Sequence, residues 1–353
     1  MSLLRLLLYP VASLYGIVLR VRHFLFDGNV LKAAQFQIPI ICVGNITVGG
    51  TGKTPVIQMI TTTLLKYDIK PAILSRGYGR KSKGYKLVLP DMHALATGDE
   101  PLMHALQFPD VTVAVAEDRA IGISEIIAGA PDTQCVLLDD AYQHRWVKPQ
   151  INILLTDYNR PFFEDFLLPA GNNRDLRIAA KRAHMLIFTR TPDYIENTAL
   201  EAKATKAKTY LSAHAQIYFT KMVSSDWMDL FTNNPATRDF HKAVAFAGIA
   251  QNQVFFKSID HIQLSDCLAY SDHHTYTETE IRKLYAKIEH EGRDVVLLTT
   301  AKDAIKLRQI PLAAELLQGR IFYRDIKVSF LHGQNLFEHA LLQQIAHIQN
   351  QTD

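Results

Sequence analysis

The chain has 353 residues, 48% of them hydrophobic and 21% charged. That length suits about two domains, and the composition excludes a disordered chain. Lys and Arg number 38 against 35 Asp and Glu, a net charge of +3, without the clustered basic excess of a general nucleic-acid binder.

The N-terminal segment MSLLRLLLYPVASLYGIVLRVRHFLFDGNV contains one uncharged stretch, Leu6 to Leu19. At about 14 residues, with Pro10 inside it, the stretch is shorter than the ~20 residues of a spanning helix. Basic residues follow it and no small-residue cleavage site does, so a cleaved signal peptide fits poorly. Two readings of residues 1–25 stand. One is an amphipathic helix lying on a membrane, with Arg5, Arg20 and Arg22 available to lipid phosphates. The other is a helix packed on its own domain.

Short buried strands then alternate with helical stretches. QIPIICVGNI (37–46) predicts a strand, a glycine turn follows, and PVIQMITTTLLKY (55–67) predicts an amphipathic helix. Further strands are expected in KPAILSRGYGR (70–80), VTVAVAEDR (111–119), CVLLDD (135–140), INILLTD (151–157) and MLIFTR (185–190). This alternation predicts an α/β fold, a parallel sheet with helices on both faces and its chemistry at the carboxyl ends of the strands; with the glycine loop ending Gly52-Lys53-Thr54 it is of P-loop NTPase type. A helix at ENTALEAKATKAK precedes an extended stretch, TYLSAHAQIYFTKM. The domain connection is placed there, giving a helix over 1–25, a P-loop domain over 26–212 and a smaller α/β domain over 213–353. In the latter, KAVAFAGIA (242–250) and RDVVLLTTAKDAIKL (293–307) each predict a strand and then a helix. QNLFEHALLQQIAHIQ predicts a closing helix. The three cysteines, Cys42, Cys135 and Cys267, lie far apart. Inert thiols in a reducing compartment are expected rather than disulfides or a zinc site.

The strongest signal is VGNITVGGTGKTP (43–55). A glycine loop between strand and helix, ending Gly-Lys-Thr, turns backbone N–H groups and a helix N-terminus toward phosphates. The candidate nucleotide-binding residues are Thr47, Val48, Gly49, Gly50, Thr51, Gly52, Lys53 and Thr54. Lys53 would reach the β- and γ-phosphates of ATP, and Thr54 would hold Mg²⁺. Thr47 stands where the general pattern has glycine. VLLDD (136–140) adds a buried strand ending in two acids, Asp139 and Asp140, which a cation would neutralise. GGTGKT also occurs in membrane-recruited partitioning ATPases, but their signature lysine is Val48 here.

The ordered set GNITVGGTGKTP, SRGYGR (75–80), GDEP (98–101), EDR (117–119), DDAYQHR (139–145), LLPAG with Arg174 and Asp175, FAGIA (246–250), SDHH (271–274) and TTAKDAIKL (299–307) resembles the tetraacyldisaccharide 4′-kinases of lipid A biosynthesis. Two departures are Ala301, where an acid is usual, and Asn172–Asn173. The resemblance implies ATP-dependent phosphorylation of the 4′-hydroxyl of a tetraacylated glucosamine disaccharide 1-phosphate. It also implies a peripheral enzyme on the cytoplasmic face of the bacterial inner membrane, its N-terminal helix dipping into the bilayer. No nucleic acid or obligate protein partner is implied. It pairs Asp99, the candidate base, with His273 of the second domain, which would close over the site. Glu100 is either a metal-side group or a turn residue. Arg76, Arg119 and Arg174 are either ligands of the substrate's 1-phosphate or sugar, or structural ion-pair partners. His144 is either a substrate contact or a core histidine, and Tyr142 and Trp146 read as packing. Competing functions are a membrane-recruited nucleotide switch and a soluble small-metabolite kinase.

Overall fold

The computed structural model describes residues 5 and 7–351. Its fourteen strands among those residues are β1 (Ile40–Asn45), β2 (Pro71–Ser75), β3 (Lys86–Leu87), β4 (Thr112–Val115), β5 (Cys135–Asp139), β6 (Ile151–Asp157), β7 (Met185–Thr189), β8 (Gln216–Ser224), β9 (Met228–Asp229), β10 (Lys242–Ala247), β11 (Gln263–Ala269), β12 (Val296–Thr300), β13 (Ile321–Arg324) and β14 (Ile326–Phe330). They form a nine-stranded sheet, ordered β14-β8-β7-β6-β1-β5-β2-β4-β3, and a five-stranded sheet, ordered β11-β10-β12-β13-β9. The large sheet is parallel from β8 to β4, with β14 and β3 antiparallel at its edges. The expected α/β class and parallel sheet are present.

Because both faces are covered by helices, the central strands are apolar at nearly every position rather than alternating. Along β1, Ile40 and Cys42 enter the core on one face and Ile41 and Val43 the core on the other. Cys42 and Cys135 are buried, and burial pushes both thiols up to about 12. Cys267 is exposed.

The sheets do not divide at the expected residue 213. β8, β14 and the closing helix Gln334–Gln349 all belong with the large sheet, Phe337, Leu341 and Ile345 of that helix filling its core. The second sheet, with its own cores around Phe246 and Phe256, lies wholly within residues 228–324. The chain therefore leaves the large sheet along β8 and returns along β14. An extended stretch near 205–225 was legible, but its membership in a sheet depends on partner strands that sequence does not name.

The helix Tyr9–Asp27 begins with Pro in its first turn, where the missing N–H costs nothing. Pro10 thus starts the helix rather than breaking it. Ala12, Gly16, Leu19, His23 and Phe26 are buried on the domain, whereas Val11, Leu14, Ile17, Val18, Val21 and Phe24 are exposed. The helix packs one face on its own domain, as the second reading has it, and its other face is apolar and uncovered. Residues 1–4 and Leu6, at the start of the expected 1–25 helix, lie outside the described residues. Among the described residues no helix is long and apolar enough to cross a membrane.

Candidate active site

The site forms where β1 and β5, neighbours in the sheet, end together. Their register sets Val43 against Asp139, so the loop after β1 meets the acid pair after β5 at the carboxyl edge, as open parallel sheets require. Gly49 (φ 96°) and Gly52 (φ 80°) take left-handed backbone that a side chain would strain. They swing the loop into the helix Lys53–Lys66. Thr47 and Val48 were expected among the phosphate contacts. Their backbone pairs with the segment Asn172–Asn173: Thr47 bridges Asn173 and the Val48 N–H donates to the Asn172 carbonyl at 2.7 Å. They anchor the loop, and the free turn is Gly49–Thr54.

A cleft of about 1050 Å³ opens over this edge. First-domain residues Gly49, Gly50, Lys53, Arg76, Glu100, Arg119, Asp139, Asp140, His144 and Arg174 face Asp272, His273 and Lys302 of the second domain across it. A second cavity of about 670 Å³ continues from Thr47–Thr51 past Arg190, Met222 and Phe255. Asp140 (φ 49°), Arg190 (φ 57°) and His273 (φ 58°) hold left-handed backbone although none is glycine. Such strain gathers at functional sites.

The two acids of DDAYQHR differ. Asp140 lies 3.7 Å from Lys53 Nζ and is clamped by both terminal nitrogens of Arg174. Burial pushes its carboxyl up, but Lys53 and Arg174 hold it below the ordinary value. Asp139 is fully buried and its Oδ1 has no partner. Burial first, then Glu100 and Asp140, push it up to about 7. An orphaned buried carboxylate oxygen beside further carboxylates, Glu100 and Asp140, suits a hard divalent cation. Among the described residues no three His, Cys, Asp or Glu side chains form a ready-made cage, and Mg²⁺ ordinarily completes its shell with water and substrate phosphates. Asp140, expected as a metal ligand, is already paired with two cations. Asp139, with its free Oδ1, carries the better fit; Glu100 is paired with Lys302 at 3.3 Å, and Thr54 shares an adjoining cavity with Glu100.

Asp99 begins the helix Asp99–Gln107, and its Oδ2 is 3.0 Å from His273 Nδ1. The expected pair therefore forms across the two domains. Its order toward the cleft is reversed: His273 lines the large cleft, whereas Asp99 lies behind the imidazole beside a cavity of about 130 Å³. Lys306 Nζ reaches Asp99 Oδ2 at 2.9 Å. Burial raises the Asp99 carboxyl, but the His273 hydrogen bond and the Lys306 charge bring it below its usual value. Lys302, one helical turn before Lys306, lies 3.3 Å from Glu100 and 3.5 Å from His273 Nε2.

The candidate substrate residues separate likewise. Arg76 is exposed on the cleft. His144 is partly buried with Nε2 unpartnered, and burial and the charge of Arg119 push it down to about 4. Arg119 is buried and donates to the Ala116 carbonyl at 2.6 Å, closing the turn after β4. Arg174, besides holding Asp140, donates to Asn45 Oδ1 at 2.6 Å. The structural alternative thus describes Arg119 and Arg174, while Arg76 and His144 stay open to a ligand. Tyr142 packs as expected, its hydroxyl on the Ala179 carbonyl at 2.9 Å. Trp146 is half exposed at the cleft and meets Phe26 edge-on at 5.1 Å. Lys302, Lys306, Asp272 and Tyr78 were not foreseen. Tyr78, in SRGYGR, is 75% exposed with its ring 5.6 Å from His273. The i, i+4 spacing of the two lysines in TTAKDAIKL was the available signal.

Comparison with known proteins places these features in a wider set. The family model described as tetraacyldisaccharide-1-P 4′-kinase matches residues 4–346. A tetraacyldisaccharide 4′-kinase of Phocaeicola vulgatus is 41% identical over 342 residues, covering 93% of this chain and 91% of that one. One of Flavobacterium johnsoniae is 38% identical over 350 residues, covering 98% of each. Among solved structures, the "apo" form of LpxK from Aquifex aeolicus in complex with ATP superposes with a TM-score of 0.74 at 26% identity, covering 97% of this chain and 100% of that one.

Proposed function

The chain belongs to the tetraacyldisaccharide-1-P 4′-kinase family, and on that premise we propose how its residues carry the reaction. The activity is ATP-dependent transfer of phosphate to the 4′-hydroxyl of a tetraacyldisaccharide 1-phosphate, a step of lipid A biosynthesis. The observation that carries the assignment of roles is the Asp99–His273 contact of 3.0 Å, made across the domains at the mouth of the phosphate-loop cleft.

Phosphoryl transfer asks for alignment and charge neutralisation more than for covalent chemistry. Gly49–Thr54 cradle the ATP phosphates with backbone N–H groups, and Lys53 places its ammonium on them. Asp140, held by Lys53 and Arg174, keeps that ammonium in place. Thr54, Asp139 and Glu100 would hold Mg²⁺, which when bound neutralises phosphate charge. His273 presents Nε2 to the acceptor hydroxyl and takes up its proton; Asp99 accepts from Nδ1–H and so orients the ring. Arg76 and His144 meet the disaccharide headgroup or its 1-phosphate. Second-domain residues Lys302 and His273 complete the site only when the domains are closed, which limits ATP hydrolysis by water. The outward face of the helix Tyr9–Asp27, with Arg20 beside it, rests on the cytoplasmic face of the inner membrane, where glycolipid and ATP meet.

The test is transfer of labelled γ-phosphate from ATP to tetraacyldisaccharide 1-phosphate in mixed micelles with Mg²⁺. The wild-type chain is expected to label the lipid, and Lys53→Ala and His273→Ala to lose at least about a hundredfold in rate. ATP hydrolysis without lipid labelling would overturn the assignment in favour of a nucleotide switch.

A further inference from the structure

The inner face of the N-terminal helix touches the segments that build the phosphate side of the cleft. The Tyr15 hydroxyl donates to the Arg174 carbonyl at 2.9 Å. His23 Nε2 meets Asp175 Oδ1 at 2.6 Å. Arg22 donates to the Gln143 carbonyl at 2.7 Å, and Gln143 donates in turn to the carbonyl of Asn45, the last residue of β1. Arg145 returns the contact, donating to the His23 carbonyl at 3.2 Å and to Asp27 at 2.6 Å.

The Tyr15 and His23 contacts converge on one dipeptide, Arg174–Asp175. Asp175 is completely buried, and its other partners are Arg182 at 3.5 Å and the Leu176 N–H at 2.8 Å. His23 is therefore its shortest polar contact, and an ionised carboxylate in such a place requires partners. The residue before it, Arg174, has its carbonyl on Tyr15 and its guanidinium on Asp140 and Asn45.

We infer that Tyr15 and His23 are positioning residues of the kinase: by holding the Arg174–Asp175 backbone they keep the Arg174 guanidinium on Asp140, the carboxylate beside Lys53. The helix is then two devices in one. Its outward face rests on lipid, and its inward face sets the charge geometry of the nucleotide site. A helix that served only as an anchor would leave phosphate transfer unchanged once substrate is dispersed in detergent. A positioning helix does not. The inference rests on the reading of the cleft as the nucleotide site.

The experiment uses the full chain and short-chain detergent micelles, so that membrane recruitment does not limit the rate. Tyr15→Phe removes only the hydroxyl, His23→Ala removes the partner of Asp175, and His23→Gln restores an amide donor in its place. Melting temperature and binding to vesicles of anionic phospholipid are measured alongside. The expected result is a fall in kcat of about fivefold for Tyr15→Phe and twentyfold or more for His23→Ala, as for one hydrogen bond and for a partner of a buried charge. Gln should rescue most of the loss, and vesicle binding should stay constant. In an Arg174→Ala background Tyr15→Phe should cost nothing further, because a residue that acts through Arg174 has nothing left to position. Additive losses in that double variant, wild-type kcat in both single variants, or losses matching a smaller folded fraction would each overturn the inference. Absence of phosphate transfer by the wild type would instead overturn the functional assignment, so the two failures are distinguishable.

Discussion

Lys306→Met should move the pH profile of phosphate transfer. Lys306 Nζ lies 2.9 Å from Asp99 Oδ2, with 9% and 12% of the two side chains exposed. Burial alone would raise the Asp99 carboxyl; the His273 hydrogen bond and Lys306 reverse that. Removing a cation at this distance favours proton binding at Asp99, whose carboxylate must stay ionised to accept from His273 Nδ1–H. An opposite charge within ~4–6 Å displaces a pKa by about 1–3 units. The acid limb of kcat/KM should therefore rise by about one pH unit or more, a tenfold loss below the limb that fades toward alkaline pH. The assay is the micellar transfer reaction from pH 5 to pH 9 for wild type, Lys306→Met and Lys306→Arg. Arg keeps the charge and should keep the wild-type limb. A loss by Lys306→Met that is equal at every pH would refute the electrostatic account and leave Lys306 as a packing element.

Three further predictions follow from particular groups. Asp139, raised to about 7 by burial and its acidic neighbours, holds a proton in the folded chain that the unfolded chain has lost above about pH 4; stability therefore falls as pH rises toward 7. Asp139→Asn should raise the melting temperature at pH 7.5 in chelator while abolishing transfer, and an unchanged or lower melting temperature would refute this. His104 is fully buried with neither ring nitrogen partnered, and burial pushes it down from 6.5 to about 4. Below pH 6.5 the unfolded chain takes up a proton there that the folded chain refuses. The His104 contribution to stability should therefore fall by about 2 kcal/mol between pH 7 and pH 5, opposite in sign to that of Asp139, and urea midpoints should show His104→Leu gaining that amount over the wild type at pH 5 relative to pH 7. Val18→Glu with Val21→Glu, at two outward positions more than half exposed, should weaken sedimentation with anionic vesicles by at least about tenfold. Unchanged sedimentation would remove the outward face as the membrane contact.

Much of the site was legible because its elements are local. A strand, a glycine turn and Gly-Lys-Thr lie within VGNITVGGTGKTP, and strand-terminal acids lie within VLLDD. The loop, Lys53 and the acid pair appear at the strand ends where parallel-sheet logic puts them. What was hidden depends on long-range contact. That Arg174 turns to Asp140 and Arg119 to a backbone carbonyl cannot be read from residue type, because a guanidinium suits phosphate and carboxylate equally. The order of Asp99 and His273 toward the cleft, and the lysines behind and beside them, likewise follow only from how the second sheet sits. The misplaced domain boundary has the same origin: β8 and β14 are far apart in sequence but pair strand to strand.

That pairing has a mechanical meaning. Among the described residues the chain crosses between the sheets twice, at Ser225 and Asp325, and the two crossings are bonded to each other: the Ser225 N–H donates to the Asp325 carbonyl at 2.9 Å, and the Asp325 N–H to Ser225 Oγ at 2.9 Å. A body hung from two adjacent cords at one edge can swing but cannot slide away. On the swinging side it is latched by Lys306 on Asp99, Lys302 on Glu100, and Gln309 on the Met92 carbonyl at 3.0 Å. Two of these three latches are residues of the acceptor site itself. On the closure proposed above, admitting a glycolipid would mean unfastening part of the chemistry, and refastening it would be the signal that substrate is in place.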